Sequence, residues 1–272
     1  MVASLCSAAH ADGMRRRSLL VAPFALPLAA CGNWRGDGVP PGEGRVTTAS
    51  DGGGLILDDG REVRLAGLVP PRPQEGAGAA EPFFEEARGV LSGLAAGRRP
   101  EVIPAPGFEP TDRWGRLVGR VTLPEVDGVS VNREMVARGF ARVRPEEEED
   151  GEARSLLALE ASARAARRGI WASPYYAVRE ADAVTLGAQG SFQIVEGVVV
   201  DAAAVRRWIY LNYGPDYRTD FTAGAPPEFS DRFDEDAMLA LPAARVRVRG
   251  EIERYNGPFI RLVVPAQVER MG

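Results

Sequence analysis

The sequence has few of the residues on which nitrogen- and sulfur-based catalysis depends. Its 272 residues include one histidine, His10, and two cysteines, Cys6 and Cys31. Beyond Cys31 the chain therefore cannot build a Ser-His-Asp triad, a Cys-His nucleophile, a disulfide, or a zinc site with nitrogen or sulfur ligands. Hydrolytic chemistry would need carboxylates, arginine and a hard cation that prefers oxygen ligands.

Lysine is also missing, so all 33 basic residues are arginines. One interpretation is selection for bidentate phosphate contacts. The other, which we favour, is a GC-rich genome that also enriches alanine, glycine and proline. The net charge of −5 provides no overall positive field for nucleic acid, so any anion binding must be local.

Residues 14–31 have the pattern of a secretion signal: a basic start, a short apolar run and small residues, too short for a stable membrane span. Leu28-Ala29-Ala30-Cys31 resembles a lipobox, which predicts acylation of Cys31 and a lipid anchor. Arg16-Arg17-Ser18-Leu19-Leu20 also resembles a twin-arginine export signal, so two export routes stay open. The expected location is the bacterial cell envelope, facing the periplasm.

These features predict how the chain begins. Residues 1–30 are expected to be a signal peptide, with Met14 as an alternative start. Residues 31–43, rich in glycine and proline, are expected to be a flexible tether. The hydrophobic fraction of 45% over 272 residues is enough for two small domains after the tether.

Residues 44–178 are predicted to form the first domain, with short strands and helices in alternation. Asp58-Asp59-Gly60 between two strand-like runs predicts a hairpin. Apolar residues at three- and four-residue spacing predict a helix over residues 83–94, with Gly97 beyond its end. Further strands and a short helix follow, and a last helix is expected to end at Gly169. This order is typical of a small barrel with helices packed on it.

Four segments of this domain carry motifs in a fixed order. They are Arg64–Arg72, Thr111–Arg116, Val131–Ala141 and Glu160–Trp171. Together they resemble the thermonuclease, or staphylococcal nuclease-like, family. The resemblance implies a five-stranded OB barrel that hydrolyses phosphodiester bonds of nucleic acid with a calcium ion.

The resemblance implies that Arg64 and Arg116 occupy the positions of two guanidinium groups that grip the phosphate. Gly53 and Val69 stand where the family has aspartates for the metal, and Arg72 stands where it has the glutamate that activates water. The absence of these acids predicts no metal site and no cofactor. We therefore expect a degenerate, catalytically inactive relative that binds nucleic acid or another anionic polymer.

Two alternatives stay open. An active calcium-dependent nuclease would have to recruit other acids, for which Glu75, Glu81, Glu85 and Glu86 are candidates. The acidic run 146–150 is instead interpreted as a solvated loop.

The second alternative is a structural envelope scaffold. In that case Arg64 and Arg116 would serve as ion-pair partners of Asp51 or Asp112. Trp114 beside Arg113 is interpreted either as a platform for a base or as a core or rim aromatic.

Residues 179–189 are predicted to be a linker, and residues 190–272 a second domain. Five strand-like runs with a helix between the third and fourth resemble an OB-fold barrel. The expected fold class is therefore mainly β with helices, a nuclease-like OB barrel followed by a second OB-like barrel.

One strand of this second domain has an alternating pattern. Arg245, Arg247 and Arg249 alternate with valines and so share one strand face, and Trp208 lies on a neighbouring predicted strand. This pattern predicts either a surface for single-stranded nucleic acid or another polyanion, or the solvated face of an amphipathic strand.

Overall fold

The computed structural model describes residues 43–74, 78–104, 111–146 and 151–272. The predicted signal peptide and Cys31 lie outside the described residues. All the described residues belong to one compact unit. They form sheets with a smaller share of helix, which confirms the predicted fold class. No helix in these ranges is both long and apolar enough to cross a bilayer.

The first sheet and the strands beside it enclose an apolar core built from residues before 160. In chain order these strands are β1 (Val46–Ala49), β2 (Gly54–Leu57), β3 (Glu62–Leu65), β4 (Leu68–Val69), β5 (Glu101–Pro104), β6 (Leu117–Leu123), β7 (Val129–Ser130) and β8 (Arg142–Val143). The order in the sheet is β1-β2-β3-β6-β5, with β7 on β6, while β4 pairs with β8.

The two edges of the first sheet approach each other. Val46 on β1 donates its N–H to Arg98 O at 2.8 Å and accepts from Gly97 N–H at 2.8 Å. Arg98 and Gly97 lie three and four residues before β5 begins. Strands β3 and β6 are parallel, whereas the other neighbours are antiparallel. This strand order is that of an OB-type barrel.

The predicted helices of the first domain are present. They are α1 (Phe84–Ala95), α2 (Val131–Ala137) and α3 (Gly151–Ala165). In α1, Ala87 and Leu91 bury one face against the core, as the apolar spacing predicts. Helix α3 ends earlier than Gly169 because Arg167 takes a left-handed φ of 51°, and the chain continues in short 3-10 turns.

The second sheet repeats the strand order of the first. Its strands are β9 (Arg179–Glu180), β10 (Phe192–Val198), β11 (Asp201–Val205), β12 (Trp208–Asn212), β13 (Thr222–Ala225), β14 (Arg245–Tyr255), β15 (Gly257–Arg261) and β16 (Val268–Arg270). The order is β11-β12-β13-β15-β14-β10-β9, with β16 on β14. Helix α4 (Glu235–Leu239) lies between β13 and β14.

Strands β10 and β11 are two parts of one bent stretch of chain. Val199 donates its N–H to Ala244 O, next to β14, and Val200 donates its N–H to Asn212 O on β12. The chain therefore passes from one end of the sheet to the other at this bend, as the first strand of an OB barrel does.

The predicted position of Trp208 relative to the arginine strand is wrong. Trp208 is on β12, and the three arginines are on β14. Strands β13 and β15 lie between them, so the aromatic and basic residues do not share adjacent strands.

A buried ion pair joins the two sheets. Arg249 on β14, 1% exposed, donates to Glu160 Oε2 on α3 at 2.7 Å. Glu160 is 0% exposed and also accepts from Val143 N–H at 2.8 Å. Beside this pair, Arg142 on β8 donates to Phe192 O on β10 at 2.6 Å. Since an uncompensated buried charge costs several kcal/mol, these contacts hold the second sheet in place on the first.

We expect Arg249→Ala to lower the free energy of unfolding by about 3–5 kcal/mol, because it leaves the buried Glu160 with only the more distant Arg164, at 3.8 Å, as a cation. Urea unfolding followed by circular dichroism measures the loss. The matched control is Arg245→Ala on the same strand, whose exposed ion pairs contribute little. Equal losses in the two variants would contradict the role assigned to the Arg249–Glu160 pair.

Candidate functional site

A cleft of about 510 Å³ is lined by residues from both sheets. It brings together the two predicted phosphate-binding arginines, the three positions at which the resemblance implies acids and the tryptophan beside them. These residues are Arg64, Arg116, Gly53, Val69, Arg72 and Trp114, and Phe192 and Glu251 join them from the second sheet. The predicted site residues of the first domain, except Arg113, thus line one surface.

Arg64 lies on β3, and its guanidinium contacts a carboxylate inside the cleft. Its Nη1 and Nη2 lie 3.4 and 3.5 Å from Oε1 and Oε2 of Glu146. Gly67 donates its N–H to the same carboxylate at 3.2 Å. The prediction of a solvated loop is therefore wrong for Glu146, whose side chain is 13% exposed. Residues 147–150 lie outside the described ranges.

Arg116 has a closer internal partner. Its Nε donates to Asp112 Oδ2 at 2.8 Å, and its Nη1 lies 3.9 Å from Glu62 Oε1. Partial burial raises the pKa of Asp112, but hydrogen bonds from Arg116 and from Trp114 N–H lower it further, so the pKa lies below its ordinary value. Asp112 consequently stays ionised in mild acid. Asp51, the other expected partner, lies 3.9 Å from Arg88 instead.

Trp114 projects from the loop between Asp112 and Arg116, and it is 64% exposed. The guanidinium carbons of Arg113 and Arg116 lie 4.1 and 4.9 Å from its ring centroid. This exposure excludes a core position for Trp114. An exposed indole beside two cations is a suitable platform for an aromatic base.

The residues at the positions where the resemblance implies metal and base acids make contacts within the protein. Gly53 has a φ of 73°, and a Cβ on it would lie 2.1 Å from Pro70 Cγ. Val69 packs against an apolar cluster that includes Phe192. Arg72 donates to Glu81 Oε1 at 3.0 Å and to Gly190 O at 3.2 Å. Val69 and Arg72 therefore help to hold the second sheet.

Among the candidate acids that the structure describes, Glu81, Glu85 and Glu86 do not line the cleft. Glu75 lies outside the described residues. Glu81 is engaged by Arg72 and lies 3.6 Å from Arg142, and Glu85 pairs with Arg88 at 2.6 Å. Within the part of the chain that the structure describes, no three acidic, histidine or cysteine side chains are grouped to hold a metal ion.

The arginines of β14 lie in ion pairs away from the cleft. Arg245 and Arg247 donate to the two oxygens of Glu196 at 2.6 and 2.9 Å. Burial raises the pKa of Glu196, but these arginines lower it further, to below its ordinary value. Arg249 is part of the buried contact with Glu160, and Trp208 stacks on Tyr210 at 5.2 Å. Their role in nucleic-acid binding stays a prediction.

Sequence reasoning missed several residues of the cleft, including Glu146, Arg144 and Glu251. Arg144 lies 5.3 Å from the Phe192 ring and 3.9 Å from Glu251. With these residues included, the described lining holds four arginines and four carboxylates, so it carries no net formal charge. The charged residues are Arg64, Arg72, Arg116 and Arg144, and Asp51, Asp112, Glu146 and Glu251.

Comparison with known families finds a match for part of this chain. Residues 62–173 match the family model described as Staphylococcal nuclease homologue. The matched stretch contains Arg64, Val69, Arg72, Trp114 and Arg116, whereas Gly53 and the second sheet lie outside it. No curated protein matches the chain.

We expect Gly53→Ala to lower the free energy of unfolding by about 2–5 kcal/mol, because the left-handed φ and the overlap with Pro70 both oppose a Cβ. Thermal or urea unfolding measures it. Gly60→Ala is the matched control, since Gly60 has a φ of 85° and open space around it. A Gly53→Ala variant as stable as Gly60→Ala would show that Pro70 does not fill this position.

Proposed function

We propose that this chain, whose residues 62–173 form a domain of the staphylococcal nuclease homologue family, binds single-stranded nucleic acid or another polyanion without hydrolysing it. One observation carries the proposal: Arg64, Arg116 and the exposed Trp114 line the same cleft. Two guanidinium groups suit consecutive phosphates, and the indole suits a base.

Binding in this cleft is an exchange of anions. A phosphate takes the place of a carboxylate at an arginine, so the arginine keeps a negative partner throughout. The contacts of Arg64 with Glu146, at 3.4 and 3.5 Å, are longer than the 2.8 Å bond of Arg116 with Asp112. Charge-assisted bonds of normal strength are about 2.7–2.9 Å long. Glu146 is therefore the carboxylate that a phosphate displaces more readily.

The residues present do not fit the calcium ion that the family resemblance implies. Hydrolysis needs a dication held by carboxylates and a carboxylate that activates water. Gly53 and Val69 supply no side-chain oxygen, and Arg72 brings a positive charge to the position of the base. We therefore infer a binding protein and derive no metal-dependent step.

The cellular setting is part of the same proposal. Export and a lipid anchor at Cys31 would hold the domain at the membrane surface, in the bacterial envelope and facing the periplasm. The first sheet would correspond to the domain proposed for residues 44–178. The second sheet would correspond to residues 190–272 together with β9, which lies within the predicted linker 179–189.

A second candidate function is that of a structural scaffold. The equal numbers of arginines and carboxylates lining the cleft favour it, because side chains that neutralise each other need no ligand. In that case Arg64 and Arg116 would only hold the barrel together.

Fluorescence anisotropy of a labelled oligothymidylate, titrated with the full chain at increasing salt, distinguishes the two. We expect a Kd that rises with salt, with log Kd increasing by about 0.7 per unit of log salt concentration for each phosphate contacted. Arg116→Ala should weaken binding by about tenfold and make the slope shallower. Trp114→Ala should cost about 1–3 kcal/mol if a base stacks there.

Arg138→Ala is the matched control, because Arg138 is a half-exposed arginine on the surface, paired with Glu134 outside the cleft. Binding without any salt dependence, or no binding, would support the scaffold instead. Incubation of the same samples with Ca²⁺ should leave the oligonucleotide intact. Cleavage that requires Ca²⁺ and disappears in Arg116→Ala would establish an active nuclease.

A further inference from the structure

The outer face of the second sheet carries a regular grid of side chains. On β12, Ile209 and Leu211 point into the core, so their neighbours in sequence point outward. The strand registers align these outward residues in rows across β11, β12 and β13. The rows are Asp201–Asn212–Thr222, Ala203–Tyr210–Gly224 and Val205–Trp208.

The first row is a chain of polar contacts. Asn212 Nδ2 donates to Asp201 Oδ2 at 3.3 Å, and Thr222 Oγ1 donates to Asn212 Oδ1 at 3.3 Å. The amide and carboxylate are thereby oriented on the sheet surface, and each retains further hydrogen-bonding capacity for a ligand.

Aromatic rings cover the next rows. Trp208 stacks on Tyr210 at 5.2 Å and on Tyr255 at 5.4 Å, with interplanar angles of 3° and 19°. The two phenol oxygens are 3.5 Å apart. Because the rings are nearly parallel, this short distance places both tyrosines on the same side of the indole. Burial, and then the bond to Tyr255, raises the pKa of Tyr210, which stays a neutral phenol.

Small residues leave room beside these rings. A Cβ on Gly224 would lie 3.1 Å from Tyr210 Cδ1 and 3.1 Å from Phe259 Cζ, so the glycine lets the rings lie close to the sheet. Ala203 flanks Tyr210 on the other side. The result is a groove of about 390 Å³ bounded by Tyr217 and Tyr255, which are 52% and 43% exposed.

The chemistry of this groove differs from that of the cleft. Its described lining consists of three phenols, two amides, one hydroxyl, one carboxylate and small apolar side chains, with no cation. These residues are Asp201, Ala203, Val205, Tyr210, Asn212, Tyr217, Thr222, Tyr255 and Asn256.

The arginines nearest in sequence do not change this composition. Arg206 and Arg207 form the turn between β11 and β12, and Arg207 pairs with Asp231 at 2.7 Å. Arg218 lies over the ring of Tyr217 at 5.1 Å. Arg254 precedes Tyr255 on β14. None of these four arginines is part of the described lining.

We propose that this groove binds a neutral oligosaccharide. The C–H faces of a sugar ring pack against aromatic rings, and its hydroxyl groups donate to and accept from amides, phenols and carboxylates. A nucleic acid strand also stacks on aromatic rings, but it needs cations along its backbone. The single carboxylate and the absence of cations in the described lining therefore favour the sugar. This binding is independent of the function proposed for the cleft.

Calorimetric titration of the full chain with maltohexaose, cellohexaose and chitohexaose tests the proposal. We expect at least one of them to bind with a Kd of about millimolar or tighter. Tyr255→Ala and Tyr217→Ala should each raise this Kd by about fivefold or more, through loss of ring contact. Two exposed positions are tested so that a folding defect in one variant does not decide the result.

The matched control is Tyr175→Ala, because Tyr175 is also 43% exposed but lies outside the groove. It should leave the Kd unchanged, and so should Arg116→Ala in the cleft. The proposal is overturned if none of the three hexasaccharides binds, or if Tyr255→Ala weakens oligothymidylate binding instead.

Discussion

The ion pair between Glu160 and Arg249 is the interaction on which the assembly of this molecule depends. It connects helix α3, packed on the first sheet, with β14 of the second, and neither side chain has more than 1% exposure. Removing either side chain would leave the other buried with a single remaining charged partner, Arg164 at 3.8 Å for Glu160 or Glu269 for Arg249, at a cost of several kcal/mol. The pair therefore fixes the second sheet against helix α3, and through it the position of Phe192 and Glu251 in the cleft.

That placement explains the contacts made by residues at the positions where the resemblance implies acids. Val69 packs on the cluster that contains Phe192, and Arg72 donates to Gly190 O at 3.2 Å. Gly53 lies against Pro70 with no space for a side chain. These residues, which stand where the resemblance implies metal and base acids, support the wall of the cleft. Arg64 and Arg116 remain, each matched with a carboxylate of the chain itself.

Local sequence patterns were sufficient for much of the fold. The turn at Asp58-Asp59-Gly60 and the apolar spacing of residues 83–94 predicted a hairpin and a helix that the structure contains. Strand β11 was missed because Asp-Ala-Ala-Ala-Val has little β-propensity. The turn that follows it was missed for a different reason. Arg206 and Arg207 both take positive φ, at 52° and 67°, and lack the Asn-Gly signature of such turns.

The site was only partly predictable because its decisive contacts are long-range. The family resemblance brought Arg64 and Arg116 together, but nothing local indicates that Glu146 bonds Arg64, 82 residues away. Alternation placed Arg245, Arg247 and Arg249 on one strand face. The alternating pattern does not indicate whether water, nucleic acid or another element covers that face. In the structure, helix α3 covers it at Arg249.

The Kd of the full chain for oligothymidylate at low salt, compared between wild type and Glu146→Gln, tests the central claim most directly. Glutamine keeps the size of Glu146 and removes the negative charge beside Arg64. If a phosphate replaces this carboxylate, Glu146→Gln should bind about tenfold more tightly, since the competing charge-assisted contact is weakened. An unchanged or weaker affinity in Glu146→Gln would contradict the exchange of anions at Arg64.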